Sequence, residues 1–315
     1  MRVVFIGTGE IGVPVLRWLL ASNEHQLVGV VTQPDKPVGR DQRIQSPPIK
    51  AALDGSLIPV LQPARIKQAD AVAEIRALQP DVIVVMAYGQ ILPTDVLEIP
   101  TIACLNLHAS LLPKYRGAAP IQAAVASGDR ETGITVMYMD AGLDTGDILL
   151  ESTIAISPSE TGGSLHDRLG EIAPAALAEA LTLLQSGEAP RLPQNNDEAT
   201  YAPKLGRDDG RIDWSEPAAV VERRIRAFNP WPGAYAVLKD KAGVERKLKI
   251  FSATPFDEKR AKPAEVIASP LGGRLAVGTG DGLLRLEEVQ LEGKKRMPAS
   301  DFVRGQGWLG DARCD

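Results

Sequence analysis

The first 186 residues repeat one pattern, in which a short apolar run is followed by a stretch with helical spacing. The apolar runs begin with Val3 to Gly7 and recur at 27–31, 81–87, 102–108 and 134–139. Helical spacing is found between or after them, at 13–22, 69–78, 117–128 and 159–186. Strands that alternate with helices form a parallel sheet covered on both faces. The pattern therefore predicts an α/β fold over residues 1–186, with a Rossmann-like, mostly parallel, doubly wound sheet.

The periodicity disappears between residues 187 and 210, where proline, asparagine and charged residues accumulate. This composition is typical of a connection, so we expect an interdomain linker there. Beyond it, a short helix at 217–228 precedes strand-like segments that are separated by glycine turns, at 234–238, 248–251 and 283–289. Short strands with such turns predict a second, small domain over 211–315, an OB-like β-barrel.

The charge is divided unevenly between these two parts. Residues 207–315 hold 20 lysine and arginine residues against 17 acidic ones, whereas the first 206 residues hold 15 against 23. The small domain is therefore the cationic one, although the whole chain carries a net charge of −5. No run approaches the roughly 18 apolar residues of a membrane span, so we expect a cytoplasmic protein. Two cysteines, Cys104 and Cys314, provide neither a disulfide framework nor a cysteine zinc site.

A glycine turn, Gly7-Thr8-Gly9-Glu10-Ile11-Gly12, follows the first strand and matches the dinucleotide fingerprint G-x-G-x-x-G. A nicotinamide site also needs an acidic residue at the end of the second strand, to hold the ribose hydroxyl. That strand ends in Thr32 and Gln33, and Asp35 arrives only beyond a proline. The fingerprint is incomplete, and any doubly wound sheet needs such a turn to enter its first helix. We therefore expect no NAD.

Asn106 and His108 interrupt the apolar strand 102–108 at positions i and i+2, so both side chains share one face. They stand at the carboxyl end of a predicted parallel strand, where open α/β sheets bind their ligands. The alternative is a strand-end histidine that bonds a loop carbonyl. The other two histidines, His25 in a polar turn and His166 beside Asp167, are expected to be solvated.

Three aspartates follow the next strand, in the segment Asp140-Ala141-Gly142-Leu143-Asp144-Thr145-Gly146-Asp147. Its glycines predict a turning loop. Such a loop could bind Ca²⁺, but it lacks the spacing and the terminal glutamate of an EF-hand, so we predict no metal. If this strand neighbours 102–108, Asp144 is the best candidate to reach His108, to orient its imidazole and to favour its charged form.

A carboxamide, an imidazole and a carboxylate suit proton transfer around a tetrahedral oxyanion, which indicates acyl or formyl transfer. No G-x-S-x-G elbow makes Ser110 an obvious nucleophile, and neither cysteine has a flanking histidine at a loop edge. Direct attack by a substrate amine is therefore favoured over a covalent enzyme intermediate.

At these residues the sequence resembles the folate-dependent formyltransferases. Their N-x-H, S-L-L-P and D-x-G-x-D-x-G elements are present as Asn106 to His108, Ser110 to Pro113 and Asp140 to Gly146. The resemblance extends over essentially the full chain to the branch that formylates an aminoacyl-tRNA. That branch also matches the segments Thr32 to Pro37, Ala87 to Gly89, Arg116 to Ile121 and Phe228 to Pro232.

The resemblance implies that 10-formyltetrahydrofolate donates its formyl group to the amino group of methionine on initiator tRNA, in translation initiation. It implies that His108 is the acid/base and oxyanion partner, Asn106 an oxyanion donor, and Asp144 the carboxylate that fixes His108. It also implies a folate site whose pterin lies against backbone and apolar groups, lined by Ser110, Leu111, Leu112, Pro113, Met86, Tyr88, Gln90, Leu92, Met139 and Asp140.

For the tRNA partner, the resemblance implies a basic loop after the second strand, over 34–50, where Arg40 meets the acceptor end and Arg43 and Lys36 assist. Asp41-Gln42 departs from the family pattern and makes the loop less cationic. In the small domain, phosphate contacts are expected from Arg223, Arg224, Arg226, Lys294 and Lys295, or else these side chains are merely solvated. We expect no membrane partner and a monomer.

Three other functions remain open from the residues alone. Formylation of an amino sugar nucleotide uses the same chemistry but needs no cationic second domain. A nicotinamide dehydrogenase requires an acidic residue near Thr32 or Gln33. A non-catalytic RNA-binding barrel leaves the constellation of Asn106, His108 and Asp144 without a purpose.

Overall fold

The structure, a computed structural model, describes residues 1–39, 41–240, 242–256, 261–269, 273–306, 309 and 312–314. The chain divides into two compact units. The first comprises Met1–Pro120, Glu131–Ala155 and His166–Pro203, and the second comprises Ile121–Arg130, Ile156–Leu165 and Lys204–Asp315. Residues 187–203 of the expected linker thus group with the first unit. The domain boundaries at 186 and 211 stay predictions.

Strands and helices alternate along the chain up to residue 203, as the apolar pattern predicts. The strands are β1 (Arg2–Gly7), β2 (Gln26–Val31), β3 (Lys36–Val38), β4 (Arg43–Gln45), β5 (Val60–Leu61), β6 (Val82–Met86), β7 (Ala103–His108), β8 (Arg116–Gly117), β9 (Glu131–Tyr138), β10 (Ile148–Ala155) and β11 (Tyr201–Ala202). The helices are α1 (Val13–Ala21), α2 (Pro48–Ala51), α3 (Ala69–Ala77), α4 (Thr94–Leu97), α5 (Pro120–Ser127) and α6 (Gly162–Ser186).

Seven of these strands form one sheet, in the order β10-β9-β7-β6-β1-β2-β5. The five strands from β7 to β5 are parallel, which confirms the Rossmann-like, mostly parallel fold. The central strands are fully buried: Val3, Val4, Phe5 and Ile6 of β1 have no exposed surface, and every residue of β6 is buried. Strands covered on both faces read as continuous apolar runs, which explains their sequences.

The strand predicted at 134–139 lies in this sheet and pairs antiparallel with both of its neighbours, which agrees with a mostly parallel sheet. β9 runs antiparallel to β7, with Tyr138 opposite Leu105 and Thr135 opposite His108. β10 is antiparallel to β9 in turn. In this antiparallel pair the carboxyl end of β9 lies beside the start of β7.

The glycine turn after β1 is bonded to the neighbouring loop. The backbone N–H groups of Thr8 and Gly9 both donate to the carbonyl of Ala87, at 3.2 and 3.3 Å. A Cβ atom on Gly7 would lie 2.8 Å from the carbonyl oxygen of Met86, so only glycine fits there. These two donors therefore serve to pack β1 against the loop after β6 rather than to bind a phosphate.

Tyr88 follows β6 and places its ring in the apolar core with Val4, Ile6 and Cys104. Its side chain is 2% exposed, and its hydroxyl has no hydrogen-bond partner among the described residues. A buried hydroxyl without a partner costs about 1–3 kcal/mol. Tyr88→Phe is therefore expected to leave the free energy of unfolding unchanged or to raise it by up to ~1 kcal/mol, measured by urea denaturation at pH 8.

Alkaline pH provides the control for this variant. Burial raises the pKa of Tyr88 to about 12, from 10.0. Since the unfolded chain ionises first, the wild type is expected to lose stability as the pH rises from 10 towards 12. Tyr88→Phe should lack this part of the alkaline loss. A variant that is less stable at pH 8 and equally sensitive to alkali would show that the hydroxyl has a bonding partner.

The second unit contains α7 (Ala218–Ala227) and α8 (Ala299–Arg304). Its strands are β12 (Tyr235–Lys239), β13 (Glu245–Phe256), β14 (Val266–Ser269), β15 (Arg274–Gly278), β16 (Leu283–Leu291), β17 (Met297–Pro298) and β18 (Arg313–Cys314). They are antiparallel, in the order β14-β15-β16-β13-β12-β18, with β17 on β16. An antiparallel bridge between Glu265 and Arg313 links the two ends and nearly closes the sheet, which confirms the predicted barrel.

Within the described part of the chain, none of the helices combines the length and the apolar character that crossing a bilayer requires.

Candidate active site

β7 presents Asn106 and His108 on one face, as their spacing predicts. His108 is 6% exposed, and Asn106 is half-buried. Asn106 lies opposite Met137 of β9, and His108 lies opposite Thr135. The backbone of both residues is therefore fixed in the sheet, so their side chains project from a rigid platform.

Asp144 comes to this platform from the loop that follows β9. Its Oδ1 accepts a hydrogen bond from Nδ2 of Asn106 at 3.3 Å, and its Oδ2 lies 3.7 Å from Nδ1 of His108. Oδ2 also accepts from the backbone N–H of Gly117 at 2.9 Å. Because β9 ends beside the start of β7, the loop must turn back along the sheet for these contacts to form. The three side chains thus surround one small volume.

The two ring nitrogens of His108 have different partners. Nε2 lies 2.9 Å from the carbonyl oxygen of Tyr115. Since a carbonyl only accepts, Nε2 carries a proton and donates it. Nδ1, which faces the carboxylate of Asp144, is then the nitrogen that can take up or release a proton. The loop-carbonyl bond of a structural histidine and the carboxylate partner of a catalytic one are therefore both present.

The loop 140–147 is organised by its own first aspartate. Both carboxylate oxygens of Asp140 accept from the hydroxyl of Thr145, at 2.8 and 2.9 Å, and Oδ1 also accepts from the N–H of Gly142. Among the residues that the structure describes, no cluster of histidine, cysteine, aspartate and glutamate could hold a metal ion. The loop therefore closes on internal hydrogen bonds.

Thr135 holds the segment Ser110 to Pro113 beside His108. Its hydroxyl lies 2.6 Å from the carbonyl of Ser110 and accepts from the N–H of Leu112 at 3.1 Å. The hydroxyl of Ser110 donates to the carbonyl of Lys114 at 2.7 Å, and Ser110 is fully buried. The hydroxyl of Ser110 therefore stabilises this loop through its hydrogen bond to Lys114, which agrees with a mechanism that does not use Ser110 as a nucleophile.

The predicted folate residues divide into two groups. Met86, Tyr88, Leu92 and Leu112 are 1–5% exposed, so they act as packing beneath the surface. The side chains of Ser110 and Gln90 bond to backbone, Gln90 through the N–H of Ile66 and the carbonyl of Ala64. More surface is presented by Leu111, Pro113, Met139 and Asp140.

At the start of the basic loop 34–50, the side chain of Asp35 is held by hydrogen bonds. The Asp35 carboxylate accepts from Nε2 of Gln62 at 2.8 Å and from Nζ of Lys50 at 2.8 Å, and these bonds lower the pKa of Asp35. After Asp35, β3 and β4 form a hairpin that carries two of the predicted tRNA contacts, Lys36 and Arg43. Arg43 is exposed and lies 3.9 Å from Asp41. Arg40 lies outside the described residues.

The predicted phosphate contacts of the second unit differ in their freedom. Arg226 pairs with Glu222, donates to the carbonyl of Glu160 at 2.8 Å and is 16% exposed. Arg223 donates to the carbonyl of Ala126 at 3.1 Å. Both guanidinium groups therefore have structural partners. Arg224 lies 5.6 Å from the centre of the Phe228 ring, and two further cations, Lys294 and Lys295, are exposed.

The structure corrects the prediction for one histidine. His25, expected to be solvated, is 5% exposed, and its ring centre lies 5.9 Å from that of Trp18. Burial lowers its pKa. Its polar sequence neighbours suggested a surface turn, but the aromatic contact draws the ring inward. His166 bonds Asp167 at 3.0 Å and is 31% exposed.

Sequence reasoning missed three contributors to the site: the carbonyl of Tyr115, the N–H of Gly117 and the side chain of Gln194. Gln194 donates from Nε2 to the carbonyls of Asp144 and Gly146, at 2.9 and 2.7 Å. Two of these are backbone groups, which carry no residue-type signal. Gln194 lies in a stretch without periodicity, where nothing marks it.

Comparison with known proteins places the chain in a family. The Formyl transferase family matches residues 1–181, and the Formyl transferase C-terminal domain matches residues 204–307. A methionyl-tRNA formyltransferase of Pseudomonas fluorescens is 48% identical over 306 residues, covering 97% of this chain and 94% of that protein. A methionyl-tRNA formyltransferase of Akkermansia muciniphila is 45% identical over 316 residues, covering both chains completely.

Solved structures share the fold at lower identity. The crystal structure of HypX from Aquifex aeolicus in complex with tetrahydrofolic acid has a TM-score of 0.61 at 19% identity, covering 96% of this chain and 47% of that one. An N-formyltransferase from Helicobacter canadensis, in complex with folinic acid and dTDP-3-aminofucose, has a TM-score of 0.65 at 17% identity and covers 94% of this chain. Given the full-length identity above 40%, the chain belongs to the methionyl-tRNA formyltransferase family.

Proposed function

We propose that this protein transfers the formyl group of 10-formyltetrahydrofolate to the amino group of methionine on initiator methionyl-tRNA. The similarity to methionyl-tRNA formyltransferases, 45–48% identity over nearly the full length of the chain, supports the reaction and both substrates. The single observation that carries the chemistry is the approach of the Asp144 carboxylate to the Asn106 carboxamide, at 3.3 Å, and to the His108 imidazole, at 3.7 Å.

Each of the three side chains has a role that its contacts allow. Asn106 uses one N–H of its carboxamide on Asp144, and its second N–H can stabilise the oxyanion that forms on the formyl oxygen. His108 exchanges a proton through Nδ1, because Nε2 is engaged by Tyr115. Asp144 stabilises the imidazolium and is itself held by the N–H of Gly117.

The reaction then needs no covalent enzyme intermediate. The methionine amine attacks the formyl carbon, and the new C–N bond gives a tetrahedral intermediate. Breaking the bond between this carbon and N10 of the folate releases N-formylmethionyl-tRNA and tetrahydrofolate. The proton lost by the attacking nitrogen moves to N10 by way of Nδ1 of His108. No redox cofactor or metal ion is required by this balance.

Binding of the folate is assigned to the surface near β7. We propose that Leu111, Pro113, Met139 and Asp140 contact the folate, over a layer formed by Met86, Tyr88, Leu92 and Leu112. Ser110 and Gln90 then act by bracing the loops of this site. Such an apolar surface with few polar groups suits a pterin ring.

The deciding experiment incubates the protein with 10-formyltetrahydrofolate and charged initiator tRNA and detects N-formylmethionine by mass spectrometry after deacylation. We expect formylation of methionyl-tRNA and none with uncharged tRNA. A parallel reaction offers an amino sugar nucleotide as acceptor. Product in that reaction, with none on the tRNA, would refute the proposal in favour of sugar formylation.

The loop 34–50 is proposed to contact the acceptor end of the tRNA, with Arg40, Arg43 and Lys36 as its cations. Lys294, Lys295 and Arg224 are proposed as phosphate contacts of the second unit. Arg223 and Arg226 remain candidates for phosphate contacts, but only through the N–H groups that their structural hydrogen bonds do not use. Contacts to phosphate position an RNA without reading its sequence.

Arg40→Ala is expected to raise the KM for methionyl-tRNA by about threefold to tenfold, as the loss of one phosphate contact implies. The KM for the folate should not change. Steady-state kinetics at two salt concentrations measures both, and the matched control is Arg76→Ala on α3, a helix remote in sequence from the loop. An unchanged KM for tRNA in Arg40→Ala would remove this residue from the proposed interface.

We further propose that the enzyme acts in the cytoplasm and as a monomer. Light scattering of the purified protein across the concentrations used for kinetics would reveal a dimer if one forms.

A further inference from the structure

The segment from Leu192 to Ala202, which we call the return segment, lies between the Rossmann-like and barrel parts of the sequence. It is bonded to both loops that complete the catalytic site. One is the loop 140–147, which carries Asp144. The other is the stretch 113–119, which supplies the carbonyl of Tyr115 to His108 and the N–H of Gly117 to Asp144. All three segments belong to the first unit.

Gln194 makes the most specific of these contacts. Its single NH₂ group donates both hydrogens, one to the carbonyl of Asp144 at 2.9 Å and one to the carbonyl of Gly146 at 2.7 Å. Its Oε1 accepts from Nε and Nη2 of Arg116, at 3.1 and 2.7 Å. Every hydrogen-bonding group of the carboxamide is therefore used, and it joins the two loops directly.

Backbone bonds extend this connection on either side of Gln194. Leu192 pairs with Ile148, the first residue after the loop 140–147. β11 pairs in parallel with β8, and the N–H of Arg116 donates to the carbonyl of Thr200 at 2.9 Å. The hydroxyl of Thr200 accepts from the N–H of Tyr115 at 2.8 Å. The return segment is thus a third support of the site, in addition to β7 and β9.

Asp144 needs such a support. Its φ of +53° lies in the left-handed region, which is uncommon outside glycine, although aspartate adopts it more readily than most other residues. The loop has little apolar packing that could stabilise this conformation, because the residues from Asp140 to Leu143 are exposed. Polar bonds to its backbone must hold it instead, and Gln194 bonds the carbonyl of Asp144 itself.

We propose that Gln194 is a positioning residue for the formyl-transfer reaction, which holds the Asp144 carboxylate at His108 and Asn106 by clamping the loop 140–147 to Arg116. The inference rests on the proposed function, because it names a further residue of the same site. Gln194 does not touch substrate and acts through Asp144. The return segment is accordingly a part of the catalytic site as well as a connection.

Two substitutions separate this role from a general effect on folding. Gln194→Glu keeps the shape and the acceptor for Arg116 but places an oxygen against two carbonyl oxygens. Gln194→Ala removes all the bonds without adding a charge. In both variants we expect kcat to fall by about 10- to 100-fold, the range that a misplacement of about 1 Å produces. The KM values for folate and methionyl-tRNA should stay within about threefold, and Gln68→Glu, at the exposed position just before α3, should match the wild type.

A double-mutant cycle tests whether Gln194 acts through Asp144. In the Asp144→Asn background, the added Gln194→Ala change should lower kcat by less than about threefold, because neighbours in one network are not additive. Losses that multiply in full would overturn the proposal, and so would a wild-type kcat in both single variants. A raised KM with an unchanged kcat would likewise show a binding role instead.

A readout without turnover separates this inference from the proposed function. The chain has three histidines, so the ring signals of His108 can be assigned by NMR with His108→Ala as reference. In Gln194→Ala the His108 signals should shift while those of His25 and His166 stay in place. An unchanged His108 signal would overturn the positioning role, whether or not the wild type formylates tRNA. Absence of formylation by the wild type, with the shift present, would refute the proposed function alone.

Discussion

His108→Gln is expected to lower kcat for formyl transfer by about 10³-fold while the KM for methionyl-tRNA stays within a few-fold. Glutamine can still donate to the carbonyl of Tyr115, so the loop contact at 2.9 Å is preserved. It has no titratable nitrogen to replace Nδ1, which faces Asp144 at 3.7 Å. The change therefore removes proton transfer and leaves the local structure in place. His108→Ala should abolish activity to the same extent.

Single-turnover kinetics with saturating folate and charged tRNA measures this loss directly. His166→Ala is the matched control, because His166 also contacts an aspartate, at 3.0 Å, but lies on the surface of α6. We expect wild-type kinetics for it. Wild-type activity in His108→Gln would exclude the assignment of His108 as the acid/base group, and thermal unfolding would verify that each variant is folded.

Asp144→Asn is expected to lower kcat by about 10²- to 10³-fold, again with little change in tRNA affinity. The two oxygens of Asp144 receive N–H groups from Asn106 and Gly117 at 3.3 and 2.9 Å. An asparagine has only one side-chain oxygen, so its NH₂ group must oppose one of these donors. The variant also removes the negative charge that stabilises an imidazolium at His108. Both effects act on the transition state.

Asp147→Asn is the control for this prediction. Asp147 lies three residues further along the same loop, and its carboxylate lies 3.9 Å from Arg191 at the surface. An exposed ion pair of this kind contributes little. We therefore expect activity within twofold of the wild type, roughly the scatter of such an assay. Equal losses in Asp144→Asn and Asp147→Asn would indicate a general effect on the loop and not a catalytic role for Asp144.

Two features of the molecule were accessible from the sequence because they depend on local geometry. Asn106 and His108 alternate with apolar residues on one strand, and side chains at i and i+2 share a face wherever the strand is placed. The glycine turn after β1 was likewise expected to be a fold element, and its N–H groups bond the carbonyl of Ala87. Neither inference required knowledge of which strands are neighbours.

The place of Asp144 required more than the sequence. Its approach to His108 depends on β9 pairing with β7 and on the loop turning back along the sheet. The sequence pattern of β9 is compatible with either direction, because apolar alternation is the same for parallel and antiparallel strands. For His25 the prediction from the sequence was wrong. Its polar neighbours indicated a solvated turn, but its ring is buried beside that of Trp18.

The sequence alone therefore determined the fold class, the pair of side chains on β7 and the membership of the formyltransferase family, all of which depend on periodicity and local motifs. The tertiary structure alone decided the direction of β9, the bond between His108 and the carbonyl of Tyr115, and the contact of residues 192–202 with the loops 113–119 and 140–147. These contacts join backbone groups or residues far apart in the chain. Their formation depends on where packing of the sheet brings the loops, and no spacing of residue types in the sequence records that.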